Sequence, residues 1–199
     1  MSQWDERYAE PEFAYGTEPN GFLAAVACQI PPGPVLCLAE GQGRNAVYLA
    51  QRGHAVTAVD QSAVGLSRAA ELAARASVTI ECVAADLADF DIAPGAWAGI
   101  ISIWAHLPAA LRAAVHRRAV AGLRPGGVFI LEAYSPRQLS FGTGGPRDAA
   151  LLVPRSALED ELAGLEFVLA QDAEREVVEG RYHRGAAAVV QVLARRPVR

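Results

Sequence analysis

The sequence predicts an α/β fold: a three-layer sandwich around a seven-stranded, mostly parallel sheet that ends in an antiparallel C-terminal strand. Three observations predict it. Residues 35–60 read as strand, glycine-containing loop, helix and strand, which is one βαβ unit. Short apolar runs then alternate with helical stretches up to Tyr134, the pattern of a parallel sheet covered by helices. The last two apolar runs, residues 167–175 and 186–195, are joined by too few residues for a helical crossover, so they pair antiparallel.

The βαβ unit carries the chemistry. Val35, Leu36, Cys37 and Leu38 form a strand run, and Ala39, Glu40, Gly41, Gln42 and Gly43 form a tight loop of mostly small residues. A helix follows over 45–52, closed by Gly53 at a position suited to a left-handed cap. The next strand spans 55–59 and puts Asp60 at its tip. Such a unit binds a ribose-bearing cofactor at the carboxyl ends of its strands: the glycines allow close approach and the carboxylate accepts from the ribose hydroxyls. Two cofactors compete. Gly41-Gln42-Gly43-Arg44-Asn45-Ala46 fits the dinucleotide pattern, with Asp60 19 residues after Gly41. Glu40 opposes that reading, because its charge would repel a pyrophosphate yet suit a cationic ligand.

The other elements follow in order. The first 20 residues are rich in aromatics, with Trp4, Tyr8, Phe13 and Tyr15, and read either as a helix packed on the sheet or as a lid over the cofactor. Residues 21–29 form a short helix, and Pro31, Pro32 and Pro34 break the chain before the first strand. Ser62 caps a helix over 62–76, with Glu71 and Arg75 an i,i+4 pair. A strand over 79–83 leads to Asp86 and Leu87, placed to meet an adenine amine and ring nitrogen, or else to cap a turn. The run 96–103 is a fully buried strand ending at Ile103, followed by Trp104 and His106. A helix over 109–123 carries Arg112, Arg117 and Arg118 on its outer side, and a strand over 128–134 follows. The loop 135–153 is long enough to suggest function or mobility. Ser156 and Glu159 fit a capping box at the start of the helix 154–164.

Composition narrows the function. The 199 residues suit one domain, 1–199, with 1–33 as an N-terminal cap segment. A net charge of −4 argues against a general nucleic-acid binder. All 18 basic residues are arginine, which excludes lysine Schiff-base chemistry. Cys28, Cys37 and Cys82 show no metal-type spacing, so no metal is expected. With no leader and no span-length apolar run, the expectation is a soluble cytoplasmic protein without a membrane partner, acting on a small molecule as a monomer or homodimer.

The whole order resembles a class I S-adenosylmethionine (SAM) dependent methyltransferase, a Rossmann-like sandwich of five βα units and a terminal antiparallel hairpin. The residues at 35–45 match its first motif, and Leu123-Arg124-Pro125-Gly126-Gly127 matches its turn before the fifth strand. Residues 43–50 and Tyr182-His183-Arg184 resemble the tellurite-resistance methyltransferases and their small-thiol-methylating relatives. The resemblance implies SAM as cofactor and S-adenosylhomocysteine as product. It implies cofactor contacts from Tyr15, Ala39, Glu40, Gly41, Gly43, Asn45, Asp60, Gln61, Asp86, Leu87 and Ile103. It also implies catalysis by His183 and Arg184, with His106 a further candidate at the same end of the sheet, on a thiol or chalcogen oxyanion. His54 and His116 are expected to be bystanders. The chain departs from the pattern at Cys37, where the family has Asp, and at Ala39, where it has Gly; Glu40 is the substitute for the missing aspartate. A nicotinamide-dependent oxidoreductase and a non-catalytic SAM-binding protein are the alternatives.

Overall fold

The computed structural model describes residues 3–198; Met1, Ser2 and Arg199, the outermost residues of the expected domain and cap segment, lie outside the described residues. The elements run α1 (Gln3–Tyr8), α2 (Gly21–Val26), β1 (Pro34–Leu38), α3 (Arg44–Gln51), β2 (Ala55–Asp60), α4 (Ala63–Arg75), β3 (Glu81–Ala84) and β4 (Trp97–Ile103). Then come α5 (Ala109–Gly122), β5 (Leu123–Tyr134), α6 (Arg155–Glu161), β6 (Glu166–Glu179) and β7 (His183–Arg195). The sheet order is β3-β2-β1-β4-β5-β7-β6, and β7 alone runs antiparallel to its neighbours. Strand alternation builds the two apolar layers. Val35 and Cys37 pack with Leu23 of α2, Leu49 of α3 and Leu66 of α4, while Leu36 and Leu38 pack with Val115 of α5 and Leu158 of α6. The chain order reverses between β1 and β4, which opens a crevice at their carboxyl ends.

The helix starts and stops read from the sequence are largely in place. Ser62 caps α4, its hydroxyl accepting from the Gly65 N–H at 3.0 Å. Gly53, at φ 85°, ends α3 in the left-handed conformation. Five expectations need correction. The Arg112 guanidinium is buried rather than outward, pairing with Glu161 of α6 at 2.8 Å. Arg118 is half-buried and donates to the Leu87 and Phe90 carbonyls; only Arg117 faces outward. Both turn inward because carboxylate and carbonyl acceptors wait there. There is no capping box at Ser156, because the N-cap is Pro154 and Ser156 already lies inside the first turn. Loop 135–153 is tied down: it contains two 3-10 turns, and Gln138 accepts from the Ala188 N–H of β7 at 2.8 Å.

The fifth correction matters most for the site. The final strands reach further than their apolar runs, so β6 ends at Glu179 and β7 begins at His183. Only Gly180, Arg181 and Tyr182 lie between them. Glu179 and His183 are direct cross-strand partners. The N-terminal segment lies against this tip, with the Arg181 N–H donating to the Ala14 carbonyl at 2.9 Å.

Two left-handed glycines separate backbone strain from close packing. A Cβ on Gly53 would meet open space, whereas one on Gly43 would sit 2.5 Å from the Ala69 Cβ of α4. Gly53→Ala is expected to cost about 1–2 kcal/mol from the backbone alone. Gly43→Ala should add ~1–3 kcal/mol of overpacking. Urea denaturation of the two variants measures the difference.

Candidate active site

One cleft of about 250 Å³ opens at the carboxyl ends of β1, β2 and β4. Of the residues singled out in the sequence, Tyr15, Ala39, Glu40, Asn45, Asp60, Gln61, Asp86, Leu87, Ile103, His106 and His183 line it. Asp60 and Asp86 thus share one cavity although they come from the ends of two different strands.

At one end the walls are acidic. Asp60 is 6% exposed; its carboxylate accepts from the Gly41 N–H and from the Ser62 N–H, each at 2.8 Å. Burial raises its pKa, against the pull of those backbone donors. Asp86 lies two residues beyond the end of β3 and is exposed at the rim; its carboxylate also accepts from the Ala88 N–H at 2.8 Å, so it caps a turn as well as lining the cleft. Gly41 and Gly43 do not line the cleft themselves. Their φ values of 60° and 87° shape the loop, and a side chain on Gly41 would strike Tyr8. Ala39 lines the cleft at φ 51°, a left-handed conformation that costs a residue with a side chain about 1–2 kcal/mol. That explains why glycine is usual there.

Glu40 does not point into water. Its Oε1 accepts from the Asn45 N–H at 2.9 Å and the Ala46 N–H at 2.8 Å, at the N-terminus of α3. Those are donors that a dinucleotide's pyrophosphate would need. The helix start is therefore already satisfied by a carboxylate from the chain itself. Burial pushes the Glu40 pKa up to about 7, with those N–H bonds and Arg44 opposing the shift.

The other end is aromatic. Trp104 stacks on Tyr134 at 4.4 Å between ring centroids and meets His183 edge-on at 4.9 Å. Tyr15 lies 4.5 Å from the His183 ring, and the two histidine rings are 6.1 Å apart. His106 Nε2 and His183 Nδ1 are buried without a hydrogen-bond partner. Burial, with Arg7 nearby, lowers His106 to about 4. Burial, then His106 and Arg44, holds His183 well below the usual imidazole range. Both rings are neutral at pH 7.

Arg184 is not in this cleft. Because β7 already begins at His183, strand alternation sends Arg184 to the opposite face, where it joins Glu10, Glu12, Phe13 and Arg181 around a separate groove. His116 is buried against Glu161 at 2.7 Å, away from the cleft. Sequence reasoning missed Arg44, Leu107, Pro108 and Leu111 as lining residues, and left Trp4 and Tyr8 as one of two readings of the N-terminal segment. Trp4 and Tyr8 do line the cleft; Tyr8 packs over Gly41 and Gly65, and Asp5 takes the Ser62 hydroxyl at 2.6 Å. Among the described residues no group of His, Cys, Asp or Glu is arranged to hold a metal.

Glu40 gives a pH dependence of stability. Its folded pKa is raised from 4.5 to about 7, so its contribution to stability is full below 4.5 and is lost as pH rises through 7. Relative to wild type, Glu40→Gln should therefore gain thermal stability between pH 5 and 8, by calorimetric melting across that range. A constant difference between the two proteins would contradict the raised value.

Comparison with known proteins agrees with this geometry. Residues 35–127 match the family model described as a methyltransferase domain. No curated protein matches the chain in sequence. Solved structures do match. One is described as the conversion of a disulfide bond into a thioacetal group during echinomycin biosynthesis, with TM-score 0.75, 18% identity, and 95% of this chain and 85% of that one covered. TehB from Haemophilus influenzae matches with TM-score 0.74 and 20% identity over 89% of this chain, which spans only 62% of TehB. A SAM-dependent methyltransferase from Clostridium acetobutylicum matches with TM-score 0.67 and 16% identity, covering 88% of this chain and 89% of that one. At these identities the likeness is one of fold. The chain shares its fold with these structures, and residues 35–127 match the methyltransferase-domain model.

Proposed function

We propose that this protein is a SAM-dependent methyltransferase that methylates a small nucleophile of the thiol or chalcogen-oxyanion class. The observation that carries the reading is the division of one cleft into an acidic end at Asp60, Glu40 and Asp86 and an aromatic end at Trp104, His106 and His183. S-Adenosylmethionine is the cofactor. The residues present fit it: Asp60 suits the ribose hydroxyls, Asp86 and Leu87 the adenine, and Glu40 the cationic methionine end, where a positive ligand stabilises its ionised form. When bound, the cofactor supplies an electrophilic methyl carbon on a sulfonium.

What the chain contributes is alignment and exclusion of water. Trp4, Tyr8 and Tyr15 wall the cleft from the N-terminal segment, which supports the lid reading of the first 20 residues. His183 presents a neutral ring, able to accept a proton. With its pKa held low, it is a weak base, which suits an acceptor that ionises easily. A thiol, with a pKa of roughly 8.5, meets that requirement far better than an alcohol or an amine. With S-adenosylmethionine held by Asp60, Asp86 and Glu40, His183 would take any proton the acceptor carries as the acceptor receives the methyl group.

Two alternatives are weaker. Nicotinamide binding would need the α3 N-terminus that Glu40 already occupies. A non-catalytic SAM binder would not need an aromatic chamber with unpartnered histidine nitrogens. The reading extends to one domain over 1–199 working in the cytoplasm; among the described residues no helix is long and apolar enough to cross a membrane.

Methyl transfer from labelled SAM, assayed over small thiols, selenite, tellurite, alcohols and amines, tests the reading. Transfer to a thiol or chalcogen oxyanion is expected. Transfer only to alcohols or amines, or to nothing, would contradict it. His183→Ala should keep cofactor affinity and lower kcat by ~10²-fold, whereas Arg184→Ala should leave transfer unchanged.

A further inference from the structure

Behind the aromatic end of the cleft sits a buried charged network, and one of its carboxylates touches two of the cleft walls. Glu179, the last residue of β6, is 7% exposed. Its Oε2 accepts from Arg44 at 2.5 Å and from the Trp104 indole N–H at 2.7 Å. Its Oε1 accepts from Asn20 at 3.0 Å and Arg175 at 2.7 Å. Despite burial, these donors hold its pKa down to about 2. Arg44 starts α3 and Trp104 follows β4, so this carboxylate joins side chains from two different elements.

Trp104 needs such a hold. It is left-handed at φ 56°, a backbone conformation that a residue with a side chain rarely adopts. Its backbone N–H donates to the Glu132 carbonyl at 2.9 Å, and its ring is held by the stack on Tyr134, the edge contact with His183 and the bond from its indole N–H to Glu179.

Glu132 of β5 provides the contrast. It is fully buried in the same network, yet its partners are Asn20, Arg175 and Gln191, none of which lines the cleft. We infer that Glu179 is a positioning residue: its carboxylate sets Arg44 and Trp104 as two walls of the acceptor end and thereby determines which acceptors fit. Glu132 meets Trp104 through its backbone carbonyl, which Glu132→Gln leaves in place, while its carboxylate reaches neither wall.

The inference rests on the methyltransferase reading for its kinetic arm alone. The other arm uses the full chain without ligand. The chain has three tryptophans, and Trp104→Phe assigns the Trp104 indole resonance in a ¹H–¹⁵N spectrum. In Glu179→Gln that indole proton should exchange with solvent at least about tenfold faster, whereas in Glu132→Gln it should exchange as in wild type. With the thiol that wild type methylates best, Glu179→Gln should lower kcat/KM for the acceptor about tenfold or more, while the Kd for S-adenosylhomocysteine moves less than about twofold. Trp104→Phe should reproduce part of that loss, and the double variant should be no worse than Glu179→Gln alone, because one interaction cannot be lost twice. Unchanged indole exchange in Glu179→Gln, or equal losses in Glu132→Gln, would overturn the inference. A wild type that methylates nothing would refute the functional reading, while the exchange comparison would still decide whether Glu179 holds Trp104.

Discussion

The two backbone N–H groups held by the Asp60 carboxylate are the constraint on which the rest of the site depends. One belongs to Gly41 in the loop after β1, and the other to Ser62 at the start of α4. With both in place, the loop lies close to β2 and α4, and a side chain on either Gly41 or Gly65 would strike Tyr8. The N-terminal segment can then cover the loop. Ser62 extends the arrangement: its hydroxyl accepts from Gly65 as the helix cap and donates to Asp5 of α1. One buried acid thus organises the acidic end of the cleft and the N-terminal segment packed over it.

Burial of charge recurs through the molecule and always comes with partners. Glu40 is satisfied by the start of α3, Glu161 by Arg112 and His116, and Glu132 and Glu179 by Arg44, Arg175 and neighbouring amides. Among the described residues that line the cleft, His106 and His183 differ, since each keeps a buried ring nitrogen without a partner. A buried polar atom left unsatisfied costs about 1–3 kcal/mol, so a ligand that supplies the missing bond is rewarded there. The acidic end of the cleft is pre-satisfied by backbone, and the aromatic end is left open.

The sequence made the βαβ unit legible because period, glycines and carboxylate all lie within about 25 residues of one another. The acids at 60 and 86 and the antiparallel ending were readable for the same reason: each depends on local order. What it concealed depends on distant pairing. Arg44 and Glu179 are 135 residues apart, and nothing local in either stretch announces the other. Arg112 looked like a surface arginine because its partner Glu161 belongs to another helix. Arg184 was misplaced by a boundary error: β7 begins at His183 and not at Ala186, and strand alternation separates neighbours that a loop could have brought together. The lid stayed ambiguous because aromatics suit both a packed underside and a cleft wall, and Tyr8 does both.

The claim at the centre is that the cleft holds the adenosine of SAM through Asp60. Calorimetric titration of the intact chain with S-adenosylhomocysteine, beside Asp60→Ala and with NADH as the competing ligand, measures it directly. The account predicts one site per chain for S-adenosylhomocysteine, abolished in Asp60→Ala, and no heat with NADH. Binding of NADH in place of S-adenosylhomocysteine, or undiminished affinity in Asp60→Ala, would contradict it.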